Sequence, residues 1–302
     1  MALSAPVAID FTIGARRLLA VPRRLATWSF TLEQLLARSL PDPPAPGPDG
    51  LRILSAPSEH LPAITAHFAD LLAGARHDFR RHYIDMRGSF ADYLGRFSGK
   101  TRASLRRKAR KLGEETGGYH ITEHRSPAEI EAFLAAALPL SARTYQARLL
   151  GAGLPDSPAA RRELLEAAEA GRLRGFLLHA GGQTIAYLLL PVVGETLVYA
   201  HLGHDPDYAR LSPGTVLQLE ALERLFAEGR YRWFDFTEGE GAHKAMFGTH
   251  SIACSSLVLL RPTLANRALL ASRGAFDLAV AQAKMLAART GMLARIRAGL
   301  RA

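Results

Sequence analysis

The sequence predicts a mixed α/β fold, a central sheet flanked by helices. Three observations in one stretch predict it. The apolar run 174–180 and the run Gln183–Val193 are separated by Gly181-Gly182, a two-residue hairpin signal. Gly194-Glu195 marks a second turn before a third strand at 196–204. A helix from Leu211-Ser212-Pro213-Gly214-Thr215 to Gly229 then precedes a short strand at 231–236. A helix between two strands is a crossover, so these two strands are expected side by side and parallel.

The remaining elements follow in chain order. Val7–Ile13 reads as a strand and Leu32–Ala37 as a helix. Residues 39–50 are proline-rich and read as a semi-rigid linker. A strand is expected at 51–54, a helix at 61–72 and a strand at 83–86. Residues 100–111 form a basic helix that Gly113 should end. A strand at 119–123 leads to Ser126-Pro127-Ala128-Glu129, a capping box with proline in the first turn. Its helix is expected to break at Pro139 and resume at 141–150. Ser157-Pro158 starts another helix, ended by Gly171. Residues 264–302 are alanine-rich and helical, with seven cations against the single acid Asp277. They suit docking on the fold or lying on an anionic membrane surface. Three parts follow: 1–118, a shortened α/β half ending in the basic helix; 119–262; and a basic helical tail, 263–302.

Composition narrows the classes. With 302 residues and 48% hydrophobic content, the chain can build about two cores. Its one cysteine, Cys254, excludes a disulfide framework and reads as a buried strand residue. No apolar run reaches the roughly 18 residues that span a bilayer, and no leader pattern is read at the N-terminus, so a cytoplasmic location is expected, with peripheral contact to the inner membrane face open. The net charge is +10. Seven of the twelve residues 100–111 are Lys or Arg, including Arg106 and Arg107, and none is acidic. Such a helix needs solvent or an anionic partner: a polyphosphate ligand, nucleic acid or lipid.

The start of the 211–229 helix suits an anion. Ser212 is expected to cap it through its hydroxyl, Pro213 loses only an amide hydrogen without a partner, and Gly214 keeps side chains off the backbone. A helix N-terminus at a strand end favours pyrophosphate; an ordinary capped helix is the alternative.

The element order resembles the GNAT acyltransferase fold. The wording of Leu211-Ser212-Pro213-Gly214-Thr215-Val216-Leu217, of Phe234-Asp235-Phe236-Thr237-Glu238-Gly239, and of Lys244 with Phe247-Gly248 resembles its CelD-like branch, associated with cellulose and exopolysaccharide biosynthesis. That branch is similar to the FemAB peptidoglycan aminoacyltransferases. Tyr83-Ile84-Asp85-Met86 and the basic helix also fit. The resemblance covers residues 80–260 and implies a GNAT-like mixed central sheet preceded by a shortened GNAT-like half. It implies an acyl-CoA donor such as acetyl-CoA held by Arg210, Leu211, Ser212, Pro213, Gly214 and Thr215, and a sugar or polysaccharide-precursor acceptor. General GNAT enzymes carry a Gln/Arg-x-x-Gly-x-Gly/Ala loop here, and this chain has one glycine, a residue late.

Acyl transfer needs a donor site, a base and a hydrogen-bond donor for the oxyanion. Asp235, Glu238 and Glu240 lie at the end of strand 231–236, where ligands collect in open α/β sheets. Asp235 faces away from Phe234 and Phe236; it is a base, or a carboxylate that ties the loop or pairs with Lys244. Glu238 is the freer base candidate, and Lys244 positions the acceptor or steadies the oxyanion. His201 and His204 are further base candidates, and Tyr199 shares a strand face with His201. Tyr145, Arg148, Arg106 and Arg107 are candidate substrate contacts. No metal-ligand spacing or Gly-x-Ser-x-Gly motif is present. Two other readings remain: a tRNA-dependent aminoacyltransferase, and a non-catalytic basic accessory protein.

Overall fold

The computed structural model describes residues 7–13, 16–144, 153–239 and 241–289. It divides into two units, Met1–Phe79 with Ala253–Ala302, and Arg80–Ile252. Residue 118, an expected boundary, lies inside the second unit.

In the first unit, β1 (Val7–Ile13) and β2 (Arg16–Arg23) form an antiparallel ribbon. β3 (Leu25–Ser29) is followed by α1 (Leu32–Ala37), whose capping box joins Thr31 and Gln34. β4 (Gly50–Pro57) runs parallel to β3. α2 (Leu61–His67) stops short of the expected residue 72. There Leu71 bonds back to the Phe68 carbonyl, and both side chains are buried by a turn whose spacing imitated a helix. β5 (Leu72–Asp85) is much longer than the strand expected at 83–86, because its polar, exposed middle at Arg76–His77 hides the apolar alternation.

The second unit begins within β5. α3 (Phe90–Gly95) starts at a Ser89–Asp92 capping box, and α4 (Gly99–Thr116) is the basic helix. Gly113 lies inside α4 and does not end it; the stop is Gly117, at φ 71°. β6 (Tyr119–His124) leads to α5 (Pro127–Arg143), with the predicted Ser126–Glu129 box. α5 runs straight through Pro139. Pro139 has no amide for the Ala135 carbonyl, and both residues are exposed, so the lost bond falls on the solvent side of the helix. The expected resumption to residue 150, with Tyr145 and Arg148, lies outside the described residues.

α6 (Pro158–Glu169) precedes the hairpin of β7 (Leu173–Ala180) and β8 (Gln183–Val193), turned at Gly181 and Gly182, both at positive φ as the sequence requires. The single strand expected at 196–204 is two: β9 (Thr196–Val198) and β10 (His201–His204). A 3₁₀ turn at Pro206–Leu211 leads into α7 (Pro213–Glu228), then β11 (Trp233–Asp235) and α8 (Ala242–Phe247). Within this unit the strand order is β5-β11-β9-β8-β7-β6, with β10 also on β8. β11 is parallel to β9, as the crossover predicts.

α7 fixes the site, and both its ends are held. Val216, Leu217, Ala221, Leu222 and Leu225 pack into one core with Leu188, Leu190 and Phe234. At its end, buried Arg174 bonds both oxygens of Glu228 at 2.6 and 2.7 Å and Tyr231 Oη at 2.7 Å. Before its start, Arg143 reaches Asp205 and Asp207, each at 2.8 Å.

β12 (His250–Leu260) returns to the first unit, antiparallel to β4, with Cys254 buried opposite Pro57. α9 (Leu264–Arg289) closes the described chain.

Gly203 on β10 pairs with Tyr187 on β8, and a Cβ there would lie 2.5 Å from the Tyr187 ring. Gly203→Val is expected to destabilise the protein by about 1–3 kcal/mol, read as a lower denaturant midpoint. Combined with Tyr187→Ala, the loss should be smaller than the sum of the two single changes.

Candidate active site

The site begins where two strands part. β9 pairs with β8 at Val192↔Leu197, whereas β10 pairs at Leu189↔His201, so the register slips by one residue across Tyr199-Ala200. Opposite the slip sits Pro191, which has no amide to donate. The Tyr199 amide instead bonds the Asp235 carbonyl at 2.9 Å. Beyond that bond β11 is paired no further along β10 among the described residues. A cavity of about 450 Å³ occupies this region. Tyr199, Leu202 and His204 line one wall, Ser212, Gly214 and Thr215 the second, and His243 and Lys244 the third.

The third wall holds a pair that the sequence reading missed. His243 Nε2 lies 3.2 Å from Tyr199 Oη. Phe236 and Phe247 rings pack around His243, at 6.2 and 5.1 Å between centroids. Burial, with smaller contributions from the Lys244 and Lys108 cations, lowers the His243 pKa to about 4. Burial also pushes the Tyr199 hydroxyl well above its ordinary value. Near neutral pH the pair is therefore a neutral imidazole beside a protonated phenol. The signal was present in Gly241-Ala242-His243-Lys244. The six-residue α8 is too short for periodicity to reveal, so only Lys244 drew notice.

The helix start differs from expectation in detail. Ser212 stands at the cap, but at φ 56° its hydroxyl makes no capping bond. It also ends the preceding 3₁₀ turn, which forces the left-handed backbone. Its carbonyl accepts the Thr215 and Val216 amides at 3.0 and 3.2 Å. A Cβ on Gly214 would meet Leu202 Cδ2 at 2.9 Å, so this glycine first permits α7 to approach β10. Of the six expected donor-site residues, Ser212, Gly214 and Thr215 line the cavity. Leu211 and Pro213 are core residues, and the Arg210 side chain turns to Glu115 on α4.

The expected bases fare differently. Asp235 is 1% exposed, and Arg81 on β5 grips both its oxygens, at 3.0 and 2.5 Å. Asp235 Oδ1 also accepts the Thr237 amide at 2.9 Å, holding that β-branched residue at φ 58°. These contacts match the loop-tying role. Glu238 is exposed and does not line the cavity; its backbone carbonyl accepts a hydrogen bond from Lys244 Nζ. Burial lowers the Lys244 pKa, against the opposing pull of Asp235 and Glu238. Glu240 is outside the described residues. Burial lowers the pKa of His201 and His204; His204 lines the cavity and His201 does not. Arg106 and Arg107 are exposed on α4, and Arg106 lines a separate groove with Glu220 and Glu223.

Residues 99–245 match the family described as acetyltransferase (GNAT) domain. This segment is a GNAT domain, and the protein is an acyltransferase by class. Among curated proteins nothing matches. Among solved structures, L-PGS from Bacillus licheniformis is 16% identical, with 74% of this chain and 72% of that one covered and a TM-score of 0.47. FemX is 11% identical over 70% of this chain and 72% of that one, at 0.47. The ribosomal-protein-S18-alanine N-acetyltransferase from Escherichia coli is 17% identical over 48% of this chain and 96% of that one, at 0.32.

Arg81→Met leaves a buried carboxylate without its cation and is expected to cost about 3–5 kcal/mol in unfolding free energy. Retained stability in chemical denaturation would show that the Arg81–Asp235 pair does not hold this loop.

Proposed function

We propose that this protein moves an acyl group from acyl-CoA to an amine or hydroxyl of a sugar or polysaccharide precursor. The observation that carries the reading is the Tyr199–His243 pair in one cavity with the start of α7. The first turn of α7 would receive the donor's phosphates, which its free positive end favours. The acceptor class rests on the likeness of Ser212–Thr215 and Asp235…Lys244 to the polysaccharide branch. The Lys244 and Lys108 charges beside His243 favour an acceptor that carries phosphate or another anion.

His243 takes the proton from the acceptor as its nitrogen or oxygen attacks the thioester carbon. The carbon–sulfur bond breaks, and Tyr199 gives its proton to the departing sulfur. His243 then returns a proton to Tyr199 across their hydrogen bond. Lys244 orients the acceptor. An anionic acceptor offsets the cations around His243 and raises its pKa toward a base's working range.

Direct detection of acyl transfer by mass spectrometry, with acyl-CoA and candidate sugars, tests the reaction. His243→Gln is expected to lower kcat by roughly a hundredfold or more with CoA affinity unchanged. Glu238→Gln should stay within about threefold of wild type, since its carboxylate is outside the cavity. The reverse ranking would return the base to Glu238. The pH profiles supply a second check. The acid limb of kcat/KM reports the free enzyme and should fall at about 4. That of kcat, measured with an anionic acceptor, should lie higher; coincident limbs would remove the acceptor's charge from the argument.

One observation favours a second reading, aminoacyl transfer from tRNA. Lys100, Arg106, Arg107 and Lys108 on α4 pair with no carboxylate among the described residues, whereas Arg110 and Lys111 pair with Glu114 and Glu115. If α4 holds RNA, Arg106→Glu with Arg107→Glu should weaken tRNA binding, and wild-type affinity should fall steeply with salt. Salt-independent binding, or equal binding by the variant, would leave α4 as a solvated face.

A further inference from the structure

Exposed large apolar side chains are concentrated in the first unit. Of Ile13, Leu18, Leu19, Val193, Leu264, Leu278, Met285 and Leu286, only Val193 lies elsewhere. The densest group is on α9. One face of this helix is docked: Leu269 is buried, and the Phe276 ring meets Phe11 edge-on at 5.4 Å. Leu278 is nine positions from Leu269, which on a helix is half a turn, so it faces the opposite way. Leu264, Ala271, Leu278 and Met285 recur every seven residues along that outer face. Leu278 is 66% exposed and Met285 58%. Arg267 is exposed and shares this face by helical spacing, ahead of the apolar pair. The acid of α9, Asp277, is bound to Arg273 at 2.9 Å. Residues 290–302 add Arg295, Arg297 and Arg301 and no acid.

We propose that the outer face of α9 docks on an anionic lipid surface, with Leu278 and Met285 entering the acyl boundary and Arg267 meeting headgroup phosphates. Basic residues beside exposed apolar ones, in a segment with a large excess of cations, are the pattern of a helix lying in a bilayer interface. No helix among the described residues is long and apolar enough to cross a membrane, so α9 lies on the surface and does not span it. A second copy of the chain is the competing occupant, and the sequence of the face opposes it. A coiled-coil seam needs apolar residues at both repeating positions. If Leu264, Ala271, Leu278 and Met285 fill one, the other holds Ala268, Ala275, Gln282 and Arg289. Such a seam would oppose small, polar and cationic residues across the contact.

The test is co-sedimentation of the full chain with phosphatidylcholine vesicles, with and without phosphatidylglycerol. Wild type is expected to bind the phosphatidylglycerol vesicles about tenfold or more tightly than the neutral ones, and less tightly as salt rises. Leu278→Glu with Met285→Glu should lower that binding about tenfold or more at an unchanged melting temperature, because both side chains are on the outer face. Leu278→Ile with Met285→Leu should preserve it. Failure of wild type to sediment with either vesicle would overturn the proposal, as would equal binding by the glutamate variant. A dimer in light scattering that the glutamate variant dissociates would assign the face to a second copy instead.

Discussion

The site depends on one backbone event, the separation of β10 from β11 after Val198. Three register pairs hold β9 against β11, and then the Tyr199 amide makes the last bond across. A sheet loses hydrogen bonds when strands part, so the separation must be enforced. Two features enforce it here. The one-residue slip against β8 turns the 196–204 segment at Tyr199-Ala200, opposite a proline that has no amide to donate there. On the other side, Arg81 holds Asp235 by both oxygens and Asp235 holds Thr237, so the chain leaving β11 is anchored at the point of divergence. The buried ion pair is thus best understood as a hinge pin for the cavity wall. A buried carboxylate engaged by these three bonds is committed to holding the loop.

Electrostatics within the cavity follow from the same geometry. Tyr199 and His243 sit among Phe234, Phe236 and Phe247, where either charged form is costly. Both groups therefore stay neutral, the phenol by a raised pKa and the imidazole by a lowered one. The two shifts favour opposite protonation states, which is the condition for an acid and a base to coexist at one pH. The lysines make the arrangement responsive. Lys244 is tied to the Glu238 carbonyl at the cavity edge, and Lys108 approaches from α4. Their charges oppose protonation of His243 until an anion compensates them.

Sequence reasoning recovered what is locally encoded. The Gly181-Gly182 hairpin, the Ser126 box, the parallel crossover and the buried Cys254 each depend on a few adjacent residues, and each is as predicted. What escaped it depends on partners distant in the chain. Asp235 is paired with Arg81, 154 positions away, so its isolated appearance as a strand-end carboxylate was misleading. Pro139 and Gly113 are breakers by composition, yet Pro139 lies on the exposed side of α5 and Gly113 lies against Tyr119. The 196–204 segment has continuous strand character, and only its pairing on both sides reveals the break. His243 was hidden by the shortness of α8. Gln218 was invisible for a similar reason. It looks like a polar helix residue, but it is fully buried on α7, and neither atom of its amide has a protein partner. A buried amide with no protein bond carries a desolvation cost that the packing of α7 must offset.

The net charge of +10 is also not one property. On α4 the uncompensated cations stand on a helix with no large apolar side chain exposed. Such a surface attracts anions through long-range field alone, and salt weakens it as counterions compete. On α9 exposed Arg267 shares a face with exposed Leu278 and Met285. There the charge and the apolar area act together, and removing apolar surface from water persists when salt screens the charge. The two helices therefore differ in how they respond to ionic strength. Attraction through α4 should vanish at high salt, whereas α9 retains a salt-insensitive remainder set by its apolar residues. Local chemistry, more than total charge, decides what each half of this basic protein can hold.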